Sequence, residues 1–180
     1  MAARYLAEAG VKVAIYEKKL SLGGGMWGGG MMFPRIVVQE EARYILEDFG
    51  IRYKEYQPGY YVANSVESVA KLIASATSAG AEVFNLVNFV DVIIRGDNRI
   101  IGIVINWEPV TAQRVHVDPL MIRAKLVIDG TGHDAAVCNT ILQKIPNAKI
   151  GEFGVLGEKP MWQRLVSSLL LMQHRRYTRV

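Results

Sequence analysis

The spacing of apolar residues changes several times along this chain, and each change predicts an element. AARYLAEAG (Ala2–Gly10) reads as a short helix ended by glycine, and VKVAIYE (Val11–Glu17) as a buried strand. IVVQEEARYILEDFG (Ile36–Gly50) has helical apolar spacing and a second glycine stop. IRYKEY and YYVAN predict two short strands around a Pro58-Gly59 turn. SVESVAKLIASATSAG (Ser65–Gly80) predicts a helix with Ser65 and Ser68 as caps and Gly80 as its end. AEVFNLVNFVDVIIR and RIIGIVINW are β-rich, and the GDN between them signals a hairpin. AKLVIDGTG (Ala124–Gly132) predicts a buried strand entering a glycine turn, with a helix from His133 to about Lys144.

Helices alternating with apolar strands, plus an inserted hairpin, predict a layered α/β nucleotide-binding domain over residues 1–162. Such a domain opens on a strand whose following turn cradles phosphates. This sequence opens instead on the helix that would come after that turn, so the domain is expected to be incomplete at both ends. Residues 163–180 switch to an apolar-then-basic stretch and form an atypical tail.

Charge narrows the function classes. The net charge is +4, but residues 163–180 contain four arginines and no acidic residue. The rest balances 17 basic against 17 acidic residues, which leaves no basic footprint for nucleic acid. No apolar run reaches the roughly 20 residues that span a bilayer, and no secretory leader is legible. One cysteine, Cys138, excludes an internal disulfide framework and fits a reducing cytoplasm.

GGGMWGGGMMF (Gly23–Phe33) is the strangest stretch: six glycines around a tryptophan, leading into large apolar residues. It formally matches G-x-G-x-x-G, yet that fingerprint needs a ribose-binding acid about 20 residues later. Here the acid, Glu17, precedes the glycines at the end of a strand. Two readings stay open. The loop is backbone that approaches a bound ligand, with N–H groups forming an anion-binding concavity and Trp27, Met31, Met32 and Phe33 as apolar walls. Alternatively, it is a glycine-rich turn whose side chains only pack.

RVHVDPLM sets His116 and Asp118 two apart, on one side of an extended segment, with Pro119 ending the strand. His133 opens the turn in DGTGHD. Two imidazoles and a carboxylate suit a divalent metal such as non-haem Fe(II); hydrogen-bonded loop residues are the alternative. Asp134 is read as a helix cap and Asp129 as a ribose contact, while Cys138 reads as a buried, inert thiol.

AARYLAEAGVKVAIYEKKLSLGGGMWGGGMMF, together with VINW, HVDP and TGHD, resembles the thiazole synthase family of thiamine biosynthesis, archaeal type, from about Ala2 to Trp162. The resemblance implies a flavoprotein-like, Rossmann-type fold and an enzyme that builds an adenylated thiazole carboxylate from NAD, glycine and a sulfur source. It implies that Glu17 and Lys18 hold the adenosine ribose and that Gly24 and Gly25 cover the dinucleotide. Val90 would meet the adenine through its backbone, and the run His116, Val117, Asp118 would contribute to the same pocket. Asp118 and His133 match the family's iron ligands. His116 stands where many members carry a sulfur-donating cysteine, which implies the branch that uses free sulfide and Fe(II), with His116 as an acid/base or orienting group. Family members form homo-oligomers with shared active sites. Against that pattern, the phosphate-binding strand and a later arginine-bearing segment are missing, which predicts a fragment that folds poorly or lacks activity. Two other functions compete: an FAD-dependent oxidoreductase of the same fold, and a remnant that only joins oligomers of an intact relative.

Overall fold

β-Branched residues at the start of Ile36–Gly50 override its helical spacing. In the computed structural model, which describes residues 1–145 and 148, Arg35–Gln39 is an extended strand rather than the first turn of a helix. Only Arg43–Asp48 is α-helical, after a short 3-10 turn at Glu40–Ala42. Ile36, Val37 and Val38 favour a pleated, half-buried surface, and a neighbouring strand provides one.

The described residues group into two units. The first contains Met1–Ile15 and Ser21–Val83. Its helices are α1 (Ala2–Glu8), α2 (Arg43–Asp48) and α3 (Ser65–Ser78). Its antiparallel sheet comprises β2 (Arg35–Gln39), β3 (Tyr53–Gln57) and β4 (Tyr60–Asn64), with β4 central. Val37 faces Val62 across one pairing and Tyr53 faces Ala63 across the other. The β3–β4 turn falls at Pro58-Gly59 as predicted, with Gly59 at φ +78°. The core gathers Leu46, Phe49, Ile51, Tyr61 and Ala63, with Ile36 and Val38 packed against it. α3 forms where expected, but its cap is Asn64, whose Oδ1 accepts the Glu67 N–H at 3.0 Å. Ser65 and Ser68 lie inside the helix and are completely buried. Gly80 ends the segment at φ +99°.

The second unit contains Tyr16–Leu20 and the described residues from Phe84 onward. Its antiparallel sheet has the order β6 (Val87–Arg95), β7 (Arg99–Trp107), β8 (Leu120–Arg123). The predicted GDN hairpin joins β6 to β7, with Gly96 and Asn98 in the left-handed region. α4 (Glu108–Gln113) and α5 (Ala136–Lys144) complete it, and Lys144 pairs with Asp91 of β6.

β1 (Ala14–Glu17) and β5 (Glu82–Asn85) make a two-stranded sheet, so β1 is shorter than the predicted Val11–Glu17. In the first unit the Val13 carbonyl accepts the Glu82 N–H. In the second, Tyr16 stacks on Phe84 with ring centroids 5.3 Å apart, and the Lys19 carbonyl accepts the Leu86 N–H.

Two further stretches depart from what their sequence predicts. Ala124–Gly132 is not a buried strand: Leu126 is 68% and Ile128 56% exposed. Apolar alternation makes a strand only when a partner takes up the backbone groups, and beyond the Ala124 N–H bond to the Ile101 carbonyl of β7 none of the described strands pairs with it. Pro119 does not end a strand but precedes one, β8. The tail at residues 163–180 lies outside the described residues, as does Trp162.

Candidate active-site residues

In the first unit, the glycine loop is a built turn. Gly24–Gly28 forms one 3-10 turn flanked by Gly23 at φ +103° and Gly29 at φ +57°, conformations that a side chain would strain. Gly24 and Gly25 are exposed, with nothing within 4 Å of where a Cβ would project. Gly23 and Gly29 are different. A Cβ on Gly23 would meet Val69 Cγ1 at 2.7 Å, and one on Gly29 would meet the Arg35 carbonyl oxygen at 1.8 Å. The loop also consumes donors internally: the N–H groups of Met26, Gly29, Gly30, Met31 and Phe33 all bond to loop carbonyls. The expected anion-binding concavity is therefore narrower than the glycine count suggests. The apolar walls divide as well: Trp27 is half-buried with its indole N–H donating to the Leu22 carbonyl at 2.6 Å, whereas Met32 is 95% exposed.

In the second unit, Glu17 ends β1 and its Oε1 accepts the Lys19 N–H at 2.9 Å. That bond fixes the carboxylate at the turn. The same turn is held by Asn85, whose Nδ2 donates to the Leu20 carbonyl at 2.9 Å. Lys18 extends toward Glu108 at 3.9 Å, and the other Glu108 oxygen is buried with no hydrogen-bond partner.

Val90 sits at a β-bulge. The β6–β7 register runs Phe89 opposite Ile105 and then Asp91 opposite Val104, so Val90 has no position facing it in β7. A bulge takes a residue out of the ladder and re-aims its backbone. β6 is also an edge strand.

His116, Val117 and Asp118 occupy the exposed stretch between α4 and β8. The Val117 carbonyl accepts an N–H of Asn106 Nδ2 at 3.1 Å, which anchors the stretch to β7 between His116 and Asp118. His133 lies in the 3-10 turn Gly132–Asp134 ahead of α5. Among the described residues no three His, Cys, Asp or Glu side chains cluster. His116, Asp118 and His133 thus do not assemble a three-ligand metal site within one copy of the chain.

The turn carrying His133 is ordered by a residue the sequence had assigned elsewhere. Asp129 Oδ1 accepts both the N–H and the hydroxyl of Thr131, at 2.9 and 2.7 Å, and Oδ2 accepts the Cys138 N–H at 2.9 Å. Thr131 in turn accepts the Ala136 N–H at 2.7 Å. Asp129 therefore accepts donors at the first turn of α5 and in the turn before it. Asp134 is no cap: no side chain of the N-cap residue, Ala135, bonds there, and Asp134 contributes its carbonyl to Asn139. Burial pushes the Asp129 carboxyl up, but the Cys138 and Thr131 donors outweigh it and hold it below the usual range. Burial and Asp129 together push the thiol of Cys138, which is half-buried rather than buried, up from its ordinary range. Cys138, Asp129, Val137 and Ile141 also line a shallow apolar hollow of about 200 Å³.

No helix among the described residues is long and apolar enough to cross a membrane.

Comparison with known proteins converges on one group. The chain is 81% identical over 165 residues to the thiamine thiazole synthase of Methanosarcina mazei, matching 92% of this chain and 64% of that protein. It is 50% identical over 162 residues to the thiamine thiazole synthase of Pyrococcus abyssi, covering 90% and 62%. The chain thus spans a little under two thirds of the curated relatives it matches. The crystal structure of Thermovibrio ammonificans THI4 superposes with a TM-score of 0.77 at 50% identity, over 79% of this chain and 56% of that one. A probable FAD-dependent monooxygenase from Pseudomonas aeruginosa, pqsL, shares the fold alone, with a TM-score of 0.51 at 13% identity over 73% of this chain and 39% of that one. The Rossmann-type, flavoprotein-like α/β fold expected from the sequence is borne out. Residues 1–178 match the model of the Thi4 family, and the chain belongs to that family.

Proposed function

We propose that the chain carries the dinucleotide-binding and catalytic residues of a thiazole synthase that converts NAD, glycine and sulfide into an adenylated thiazole carboxylate. The observation that carries this reading is the 81% identity to a thiamine thiazole synthase. Glu17, held at the end of β1 by the Lys19 N–H, accepts the ribose hydroxyls, with Lys18 beside it. Gly24 and Gly25 lie against the dinucleotide because nothing projects from them. The bulge at Val90 offers main-chain groups to the adenine edge.

Asp118 and His133 are the residues that would hold Fe(II). A carboxylate oxygen and an imidazole nitrogen fit that ion, and two donors leave positions open for substrate. The chemistry that Fe(II) would supply there is Lewis acidity, which would favour deprotonated sulfide at neutral pH. His116 moves protons as glycosidic cleavage releases nicotinamide and the glycine amine adds to the exposed ADP-ribose carbonyl. An imidazole has no sulfur to surrender, so the sulfur comes from solution and the enzyme turns over repeatedly. The reading further places the protein in the cytoplasm, as a homo-oligomer with sites shared between copies.

The test is anaerobic incubation with NAD, glycine, sulfide and Fe(II). Release of nicotinamide and repeated formation of the adenylated thiazole would support the reading and overturn the expectation that this chain, which spans under two thirds of its relatives, lacks activity; loss of that turnover in His116→Ala would tie it to the site. No binding of NAD in calorimetry, with or without Fe(II), would refute the reading.

A further inference from the structure

We infer that Ser65, at the start of α3, is a positioning residue that sets the glycine loop for the dinucleotide; this rests on the reading above. Ser65 is completely buried, and its backbone and side chain reach two different parts of the loop. Its hydroxyl donates to the Trp27 carbonyl at 2.7 Å, in the middle of the glycines. Its N–H donates to the Pro34 carbonyl at 3.2 Å, where the chain leaves the loop for β2. One turn further along α3, Val69 fills the space over Gly23, where the chain enters. Entry, middle and exit are thereby fixed to one helix end.

The loop alone cannot supply this order. Glycine-rich backbone loses more conformational freedom on ordering than any other, so a loop this rich in glycine needs external fixing to hold one shape. The bonds among its own residues close the turn without attaching it to anything, and Trp27 donates back to Leu22 within the same segment. Ser65 provides the attachment. Its position makes the hydroxyl effective: a buried carbonyl left without a donor is penalised more than an exposed one. A loop held in advance spends less binding free energy on becoming ordered when a ligand arrives. Ser65 touches no substrate in this account; it acts through Trp27 and the glycines.

The test compares the full chain with Ser65→Ala and with Ser65→Cys, which keeps the volume and a weaker donor. Amide hydrogen exchange is followed peptide by peptide, and NAD affinity is measured by calorimetry. In Ser65→Ala, exchange across residues 22–34 is expected to rise about tenfold, with α3 beyond its first turn and the β3–β4 pair unchanged, as one lost buried hydrogen bond allows. NAD affinity is expected to fall by a similar factor, and Ser65→Cys to lie between. Unchanged exchange in the loop, an equal rise throughout the first unit, or a loosened loop with unaltered NAD affinity would each overturn the inference. Wild-type protein that binds no NAD would instead bring down the functional reading itself. If Ser65→Ala does not fold, Ser65→Cys against wild type carries the same readouts.

Discussion

Two stretches carry the candidate chemistry, and they are built in opposite ways. The glycine loop, Gly23–Phe33, looks floppy in composition yet is stitched internally and attached to α3 by Ser65 and Val69. The stretch from Arg114 to Gly130 has ordinary composition, with His116 and Asp118 in it. It is largely exposed, with Asn106, the Ala124–Ile101 bond and the β8 ladder as the holds that cross to β7. The difference shows that glycine content does not measure disorder. What decides is whether buried groups take up the backbone donors and acceptors.

Glycine substitutions break this comparison most sharply. Gly29→Ala drives a Cβ onto the Arg35 carbonyl in a left-handed backbone, and is expected to destabilise the first unit by about 3 kcal/mol or more. Gly130→Ala, in the open stretch, meets nothing within 4 Å and has no positive φ, so its effect is expected within about 0.5 kcal/mol. Urea midpoints for the two variants check the contrast; equal losses would show that the loop is no better packed than the exposed stretch.

Next in size is Asp129, which holds the turn that follows the exposed stretch. Asp129→Ala is expected to lose about 1 kcal/mol, the usual value of a helix-capping acceptor, with amide exchange rising at Thr131–Cys138. The same residue gives a pH dependence. Its folded carboxyl lies below the ordinary range, so its contribution is complete above the unfolded carboxylate pKa. That contribution is lost as pH falls through the folded value. Acid is therefore expected to loosen the His133 turn, and Asp129→Ala to abolish that acid sensitivity in the same exchange measurement.

The smallest effect sharpens the picture of the loop. Trp27→Phe keeps an aromatic side chain but removes the pyrrole half of the indole with its N–H donor to Leu22, and is expected to destabilise by about 1 kcal/mol in a urea titration. A larger loss would make that internal bond, rather than the Ser65 attachment, the main source of loop order.

Features fixed by neighbours in sequence were legible before the structure. Gly80 ends α3, and Gly96 and Asn98 turn the β6–β7 hairpin, because positive φ is a local demand that glycine and asparagine meet. Ile36–Val38 is ambiguous in sequence because a short apolar run serves helix or strand, and pairing with β4 decides it. Leu126 and Ile128 alternate as a buried strand would, but burial depends on a partner that alternation does not reveal. The site divides the same way. Family motifs pointed to Glu17, Val90, Asp118 and His133, while the bulge at Val90 came only from the register of β6 on β7. Ser65 resembles a cap in sequence because it adjoins the true one, Asn64, while its link to Trp27 spans 38 residues. The bonds from Thr131 and Cys138 to Asp129 are not legible in sequence, because nothing local shows which donors its carboxylate meets.

The most direct test is mass spectrometry of the small molecules released when the anaerobically purified chain is denatured. An adenylated thiazole, or NAD on its way to one, is the predicted outcome. FAD in its place would contradict the account and return the chain to the flavoenzymes whose fold it shares.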